Sequence, residues 1–131
     1  MANESGSSES QSRESAHFSE VQREQWENFL NNFSRDYDGW IATIEVLGRE
    51  GEHEVEIRER VFRGSSFDHP GTGETRIFLG FDDRPEAHLI HSIINPTRVE
   101  ISGKDLRIYS ADESVSVLHL LRPGSQQQKA A

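Results

Sequence analysis

The sequence predicts an α+β fold that is mainly β, with an N-terminal helix packed on an antiparallel meander of about seven strands. Apolar residues recur at helical spacing between residues 19 and 39, whereas they alternate with polar residues in most segments from residue 40 onward. Short segments rich in Gly, Pro, Asn and Asp separate these later segments. No second helical pattern lies between them, so the long crossovers that parallel strands need are missing and antiparallel pairing is favoured.

The predicted helix begins at Ser19, because Ser19 and Gln22 match the S-x-x-Q pattern of a capping box. Gly39 is its predicted end, since glycine readily adopts the left-handed conformation that closes a helix. Four residues at helical spacing form one apolar stripe, namely Trp26, Phe29, Leu30 and Phe33. We expect this stripe to cover one side of the β core.

The strands are predicted from alternation between turn-forming segments. They occupy residues 40–47, 53–62, 74–81, 88–94, 97–102, 105–110 and 114–121. The second strand alternates most clearly, which predicts that Val55, Ile57 and Val61 share one face. Two arrangements bury the apolar faces of the strands and the helix together, a strongly bent sheet and a small barrel, and the sequence leaves both open.

Residues 19–122 form the single predicted globular domain. Residues 1–18 are rich in serine and poor in apolar side chains, so this segment and the tail 123–131 are predicted to be disordered. The first segment lacks the basic start and the apolar centre of a secretory signal, and the chain contains no Cys. We therefore expect a cytoplasmic location.

Composition argues against several classes of function. The formal charge of −9 disfavours a surface for nucleic acids or for an anionic membrane, and no stretch is apolar enough to span a membrane. Without Cys there is no disulfide scaffold, thiolate zinc site or thiol nucleophile. No phosphate-binding or dinucleotide-binding loop is recognisable, so no cofactor is predicted.

Three arginines on the polar faces of predicted strands form a candidate anion-binding site. They are Arg76, Arg98 and Arg107, and glutamates lie among them in the sequence. A planar guanidinium donates paired hydrogen bonds to a carboxylate or a phosphate, which suits a small anion as the ligand. The alternative is a solvent-exposed face on which arginines and glutamates pair with one another.

A second candidate site is an interior pocket formed by Glu59, His91 and His119. Glu59 falls on the apolar face of its predicted strand, and a buried carboxylate must be paired or protonated. The alternatives are a β-bulge at Arg58-Glu59, a salt bridge or a strand end. His119 lies on an apolar face, which is typical of a hydrogen-bonded core histidine. His88 and His91 are three residues apart and would point to opposite sides of a strand, so no metal site is predicted.

Several short motifs resemble a small bacterial family that is catalogued only as a domain of unknown function. They are Phe33-Ser34-Arg35, Gly39-Trp40, Glu45-Val46-Leu47-Gly48, His88-Leu89-Ile90-His91 and Pro96-Thr97-Arg98-Val99. They occur in this order over roughly residues 25–121, and the two last are the most specific part of the pattern. The resemblance implies one small cytoplasmic bacterial domain, and it brings no activity, cofactor or catalytic residue.

These observations favour a non-enzymatic binding or protein-interaction module as the function. Its partner would be an unknown protein or a small anion, met at an exposed strand edge or at the arginine-bearing face. The module itself is expected to be a monomer or a weak homodimer. The alternative is a small-ligand-binding barrel or an enzyme with an interior pocket of acidic and histidine side chains.

Overall fold

The computed structural model describes residues 18–68, 73–81 and 84–124, and most of the two tails predicted to be disordered lies outside these ranges. The described chain has one α-helix, α1 (Trp26–Tyr37), which follows a 3-10 turn (Arg23–Gln25). Its eight strands are β1 (Ser19–Val21), β2 (Ile41–Leu47), β3 (His53–Phe67), β4 (Thr75–Phe81), β5 (Arg84–Ile93), β6 (Pro96–Ser102), β7 (Asp105–Ser110) and β8 (Val115–Leu121). The mainly-β prediction with one helix is confirmed.

All eight described strands form one antiparallel sheet in the order β1-β6-β7-β8-β2-β3-β4-β5. Successive hairpins give most of this order, and β8 returns to pair with β2. The sheet is open, with β1 and β5 as its two edges. Neither of the two predicted shapes, the strongly bent sheet or the small barrel, is confirmed.

The core lies between α1 and one face of the sheet. Trp26, Leu30 and Phe33 of the predicted apolar stripe are buried there, with Phe29 at the margin. We call the sheet face that receives them the helix face. It carries Ala42, Ile44, Phe62, Phe67, Ile77, Leu79, Val99, Leu106, Ile108, Leu118 and Leu120. The opposite surface of the sheet is called the outer face.

Two serines fix α1 to β3. The Ser65 backbone N–H donates to Ser34 Oγ at 2.7 Å, and the Ser65 hydroxyl donates to the Leu30 carbonyl at 3.1 Å. The helix therefore has a hydrogen-bonded register on the sheet in addition to its apolar packing.

The predicted helix start at Ser19 is wrong. Residues 19–21 are extended because they pair with β6, where Glu20 lies opposite Glu100, and the α-helix begins only at Trp26. Phe18 was predicted to be part of a disordered tail, but it is half-buried with its ring 3.7 Å from the Arg107 guanidinium carbon. The predicted end of the helix is correct, since Gly39 has a φ of 92° and its N–H donates to the Phe62 carbonyl.

The expectation that Val55, Ile57 and Val61 share a face is also wrong. Irregular pairing interrupts the β2–β3 ladder on both sides of Ile44. Each extra residue reverses the faces along β3, so Ile57 lies opposite Ile44 on the helix face, whereas Val55 and Val61 lie on the outer face. Alternation alone cannot reveal such reversals, because a bulge changes the pairing and not the sequence pattern.

Among the described residues, no helix has the length and apolar character needed to cross a membrane.

Candidate functional site

The most accessible apolar surface of the described chain follows the edge strand β5. The described chain has four exposed large apolar side chains, and three of them lie in β5 or directly after it. They are Leu89 at 39%, Ile90 at 55% and Ile94 at 55% exposure. The fourth, Leu47, lies at the end of β2. Leu89 pairs with Leu79 and so belongs to the helix face, whereas Ile90 pairs with Phe78 on the outer face. We call Leu89, Ile90 and Ile94 the β5 edge surface.

The two edges of the sheet differ in how they are protected. β1 is only three residues long and carries Glu20 at its centre, so it offers little backbone for pairing. β5 is ten residues long, and the run from His88 to Asn95 contains no Asp, Glu, Lys or Arg. Proteins usually protect long edges with charges, prolines or bulges. In β5 the devices of this kind are Arg84, Pro85, Glu86 and an irregularity in the pairing with β4 between Arg84 and His88. All of them precede the apolar half.

The predicted arginine site is divided by the fold. Arg98 and Arg107 lie together on the outer face, around the carboxylate of Glu100, which is only 8% exposed. Arg98 Nε lies 2.8 Å from Glu100 Oε2, and Arg107 Nη1 lies 3.6 Å from Oε1, which also accepts a 3.0 Å bond from the Tyr109 hydroxyl. The chain therefore supplies the anion for these two guanidinium groups itself.

Arg76 does not join this cluster. It lies on β4, and three strands of the sheet, β8, β2 and β3, stand between β4 and the β7 strand of Arg107. Its Nη2 atom lies 3.1 Å from Oε1 of Glu74. The arrangement therefore matches the alternative interpretation of a face on which arginines and glutamates pair.

The structure does not bring Glu59, His91 and His119 together. Glu59 is exposed at a bulge, where it has a φ of 51° and its N–H donates to Thr43 Oγ1 at 3.1 Å. This is the bulge that the sequence offered as an alternative to a buried acid. His91 belongs to the helix face, because it pairs with the buried Ile77, whereas His119 pairs with Thr43 on the outer face.

His119 is not a core histidine but part of an outer-face cluster. Its Nε2 lies 3.6 Å from Oε1 of Glu45 and its Nδ1 lies 3.8 Å from Asp105 Oδ1. His53 Nε2 approaches the same Glu45 oxygen at 3.0 Å, and this hydrogen bond is the main reason that the pKa of Glu45 is lowered. No group of three or more His, Cys, Asp or Glu in the described ranges is placed to hold a metal ion.

His91 is the predicted site residue that the fold places in a cleft. Its Nε2 is hydrogen-bonded to the hydroxyl of the buried Ser116 of β8 at 3.0 Å. Glu56 of β3 lines the same cleft. The sequence did not single out Ser116 or Glu56, because residues 56, 91 and 116 meet only through the pairing of strands distant in the chain.

A smaller cavity of about 220 Å³ lies beside the 3-10 turn, next to Phe67. Arg23 forms one side of it and packs over the Trp26 ring at 4.6 Å. Glu24 and Glu27 form the rest of its charged lining. The cavity therefore contains both positive and negative side chains and selects neither a cationic nor an anionic ligand.

No family model, curated protein or solved structure matches this chain. The resemblance to a bacterial domain of unknown function therefore stays a prediction, and the site has to be interpreted from its own geometry.

The environment of His91 predicts acid sensitivity of the fold. Burial lowers the pKa of His91 below its ordinary value, and the Glu56 carboxylate opposes part of this shift. The His91 ring therefore becomes protonated at a higher pH in the unfolded chain than in the folded chain. The free energy of unfolding should thus fall as the pH drops below about 6.5, the pKa of an unperturbed histidine.

We expect His91→Gln to reduce this pH dependence, because glutamine can still hydrogen-bond to Ser116 but does not titrate. Thermal unfolding of both proteins from neutral to mildly acidic pH measures the difference. Equal slopes of stability against pH would contradict the role assigned to His91.

Proposed function

We propose that this chain is a non-enzymatic interaction module whose binding element is the edge of β5 that no described strand covers, and that the partner strand comes from a second copy of the chain. The observation that carries the proposal is the concentration of exposed apolar side chains on this edge strand, at 39–55% exposure. An edge strand presents N–H and C=O groups that another strand can pair with, and apolar side chains on both faces add affinity.

The absence of charge on the second half of β5 supports a second copy as the partner. In an antiparallel pair of identical strands, a two-fold axis at Ile90 places Ile90 opposite its own copy. The same register places Leu89 opposite His91 of the partner subunit. Because no charged residue lies between His88 and Asn95, this register opposes no like charges.

The size of the contact favours a weak dimer. One strand pair and a few apolar side chains bury less surface than a stable interface requires, so the dimer should dissociate on dilution. Each chain carries a formal charge of −9, and the two chains repel each other. Added salt screens this repulsion and should therefore strengthen the dimer. Association through the arginine-bearing face would instead weaken with salt.

Sedimentation equilibrium of three proteins tests the proposal. Ile90→Lys places a charge opposite its own copy, and it should weaken dimerisation by at least about tenfold. Ile90 is 55% exposed, so the fold should tolerate the change. Leu47→Lys is the matched control, since it changes the exposed apolar residue of β2 and should dimerise like the wild type.

A wild-type chain that stays monomeric up to high protein concentration would overturn the proposal. So would an Ile90→Lys variant that dimerises as well as the wild type, because the contact would then lie elsewhere. Dimerisation that weakens with salt would point to the arginine-bearing face.

A further inference from the structure

The cleft that contains His91 has a volume of about 290 Å³ and lies at the junction of four segments of the chain. The four segments are β2, β3, the end of β5 with the residue after it, and the β7–β8 hairpin from Ser110 to Ser116. Its lining residues are Val46, Glu56, His91, Ser92, Ile93, Ile94, Ser110, Asp112, Ser114 and Ser116. None belongs to α1, so the helix leaves this part of the sheet open.

Two hydrogen-bonded groups hold the cleft together. Ser116 is 7% exposed, and its hydroxyl is hydrogen-bonded to Nε2 of His91 at 3.0 Å. The Ser110 hydroxyl donates to the Ile94 carbonyl at 2.6 Å, and the Ala111 N–H donates to the Asn95 carbonyl. These bonds tie the β5–β6 connection to the β7–β8 turn, so the cleft walls are fixed relative to one another.

Two carboxylates lie in the lining, on different segments. Asp112 accepts hydrogen bonds from the Ser114 hydroxyl at 2.6 Å and from the Ser114 N–H at 2.9 Å. These bonds lower the pKa of Asp112, which is therefore ionised at neutral pH. Glu56 is the second carboxylate, and its field acts on His91 inside the cleft.

The lining selects among classes of ligand. It contains no Lys or Arg, and two carboxylates would repel an anion. A metal ion is disfavoured, because no three ligating side chains of the described residues are placed to hold one. A small ammonium ion suits the negative charge of the lining and its serine hydroxyl groups. The apolar side chains of Val46, Ile93 and Ile94 in the lining suit an aliphatic chain.

We propose that this cleft binds a small aliphatic amine, with its ammonium group between Glu56 and Asp112 and its alkyl part on the isoleucines. The serine hydroxyls accept the remaining ammonium hydrogens. His91 positions the Ser116 hydroxyl through their hydrogen bond. Because burial lowers the pKa of His91, its ring is neutral at neutral pH and adds no competing positive charge to the cleft. This proposal does not depend on strand pairing by β5, although the cleft shares Ile94 with the β5 edge surface.

Titration of the ¹⁵N-labelled protein with 1,4-diaminobutane, followed by amide chemical shifts, tests the site. Saturable shifts are expected at the amides of Ser92, Ser114 and Ser116. Glu56→Gln should weaken binding about tenfold or more, because it removes the charge of one hydrogen-bonding partner. Glu50→Gln removes the same charge from the exposed β2–β3 turn and should bind like the wild type.

Two further probes separate charge recognition from general binding. Butane-1,4-diol has the same chain without charge, and succinate has charges of the opposite sign, so both should bind much more weakly than the diamine. The proposal is overturned if the diamine causes no saturable shifts in the cleft. It is equally overturned if the diol or succinate binds as well, or if Glu56→Gln and Glu50→Gln have the same effect.

Discussion

Replacing Trp26 by alanine is expected to lower the free energy of unfolding by about 3–5 kcal/mol. Trp26 is 2% exposed and begins α1, and its ring meets the Phe67 ring edge to face at 5.2 Å. Its indole Nε1–H donates to the Val21 carbonyl at 2.9 Å. The same side chain therefore fills the core and holds the end of β1 next to the helix, so its loss leaves a cavity and an unpaired carbonyl together.

Trp26→Phe separates these two contributions. Phenylalanine keeps an aromatic ring in the core but cannot donate to Val21, so we expect a smaller loss of about 1–2 kcal/mol. Urea unfolding of the three proteins measures both values. A Trp26→Ala variant within about 1 kcal/mol of the wild type would contradict the described packing of α1 on the helix face.

The second large effect is expected at Glu100. Glu100→Ala should lower the free energy of unfolding by about 2 kcal/mol, because it leaves Arg98 and Arg107 facing each other without their shared carboxylate. The side chains of Arg98 and Arg107 are 49% and 32% exposed, so solvent screens part of this repulsion and keeps the loss below that of a fully buried pair. The Tyr109 hydroxyl also loses its acceptor.

Two controls identify the cause of this loss. Combining Glu100→Ala with Arg107→Gln should recover part of the stability, because the repulsion between the arginines disappears. Sulfate should raise the melting temperature of Glu100→Ala more than that of the wild type, since Arg107 then lacks its internal anion and Arg98 keeps only Glu20, at 3.6 Å. An additive double variant and equal responses to sulfate would contradict the role of Glu100 as a shared counter-ion.

The sequence predicts best those elements whose residues repeat over many positions. The stripe from Trp26 to Phe33 and seven of the eight described strands follow from such repeats, and their predicted ends differ from the observed ends by a few residues, except at β3 and β5. β3 extends to Phe67 through a segment that contains Gly64 and two serines. β5 begins at Arg84, in a segment that its Asp and Pro residues predicted to be a turn.

The remaining features depend on contacts between distant residues. β1 has only three residues, too few for alternation to be recognised, and its strand conformation comes from pairing with β6. The alternating pattern does not show where a bulge falls, so the sequence offers the bulge at Glu59 only as an alternative to a buried acid. The pairing of β2 with β8 joins residues more than 60 positions apart and creates the cleft around His91.

Hydrogen exchange of the β5 amides at several protein concentrations tests the central claim most directly. In an edge strand, every second N–H points away from the neighbouring strand and exchanges with water unless another strand covers it. We predict that the outward amides between His88 and Ile93 become more protected as concentration rises, and that Ile90→Lys abolishes this gain. Protection that does not depend on concentration, or that appears elsewhere in the sheet, would contradict pairing through β5.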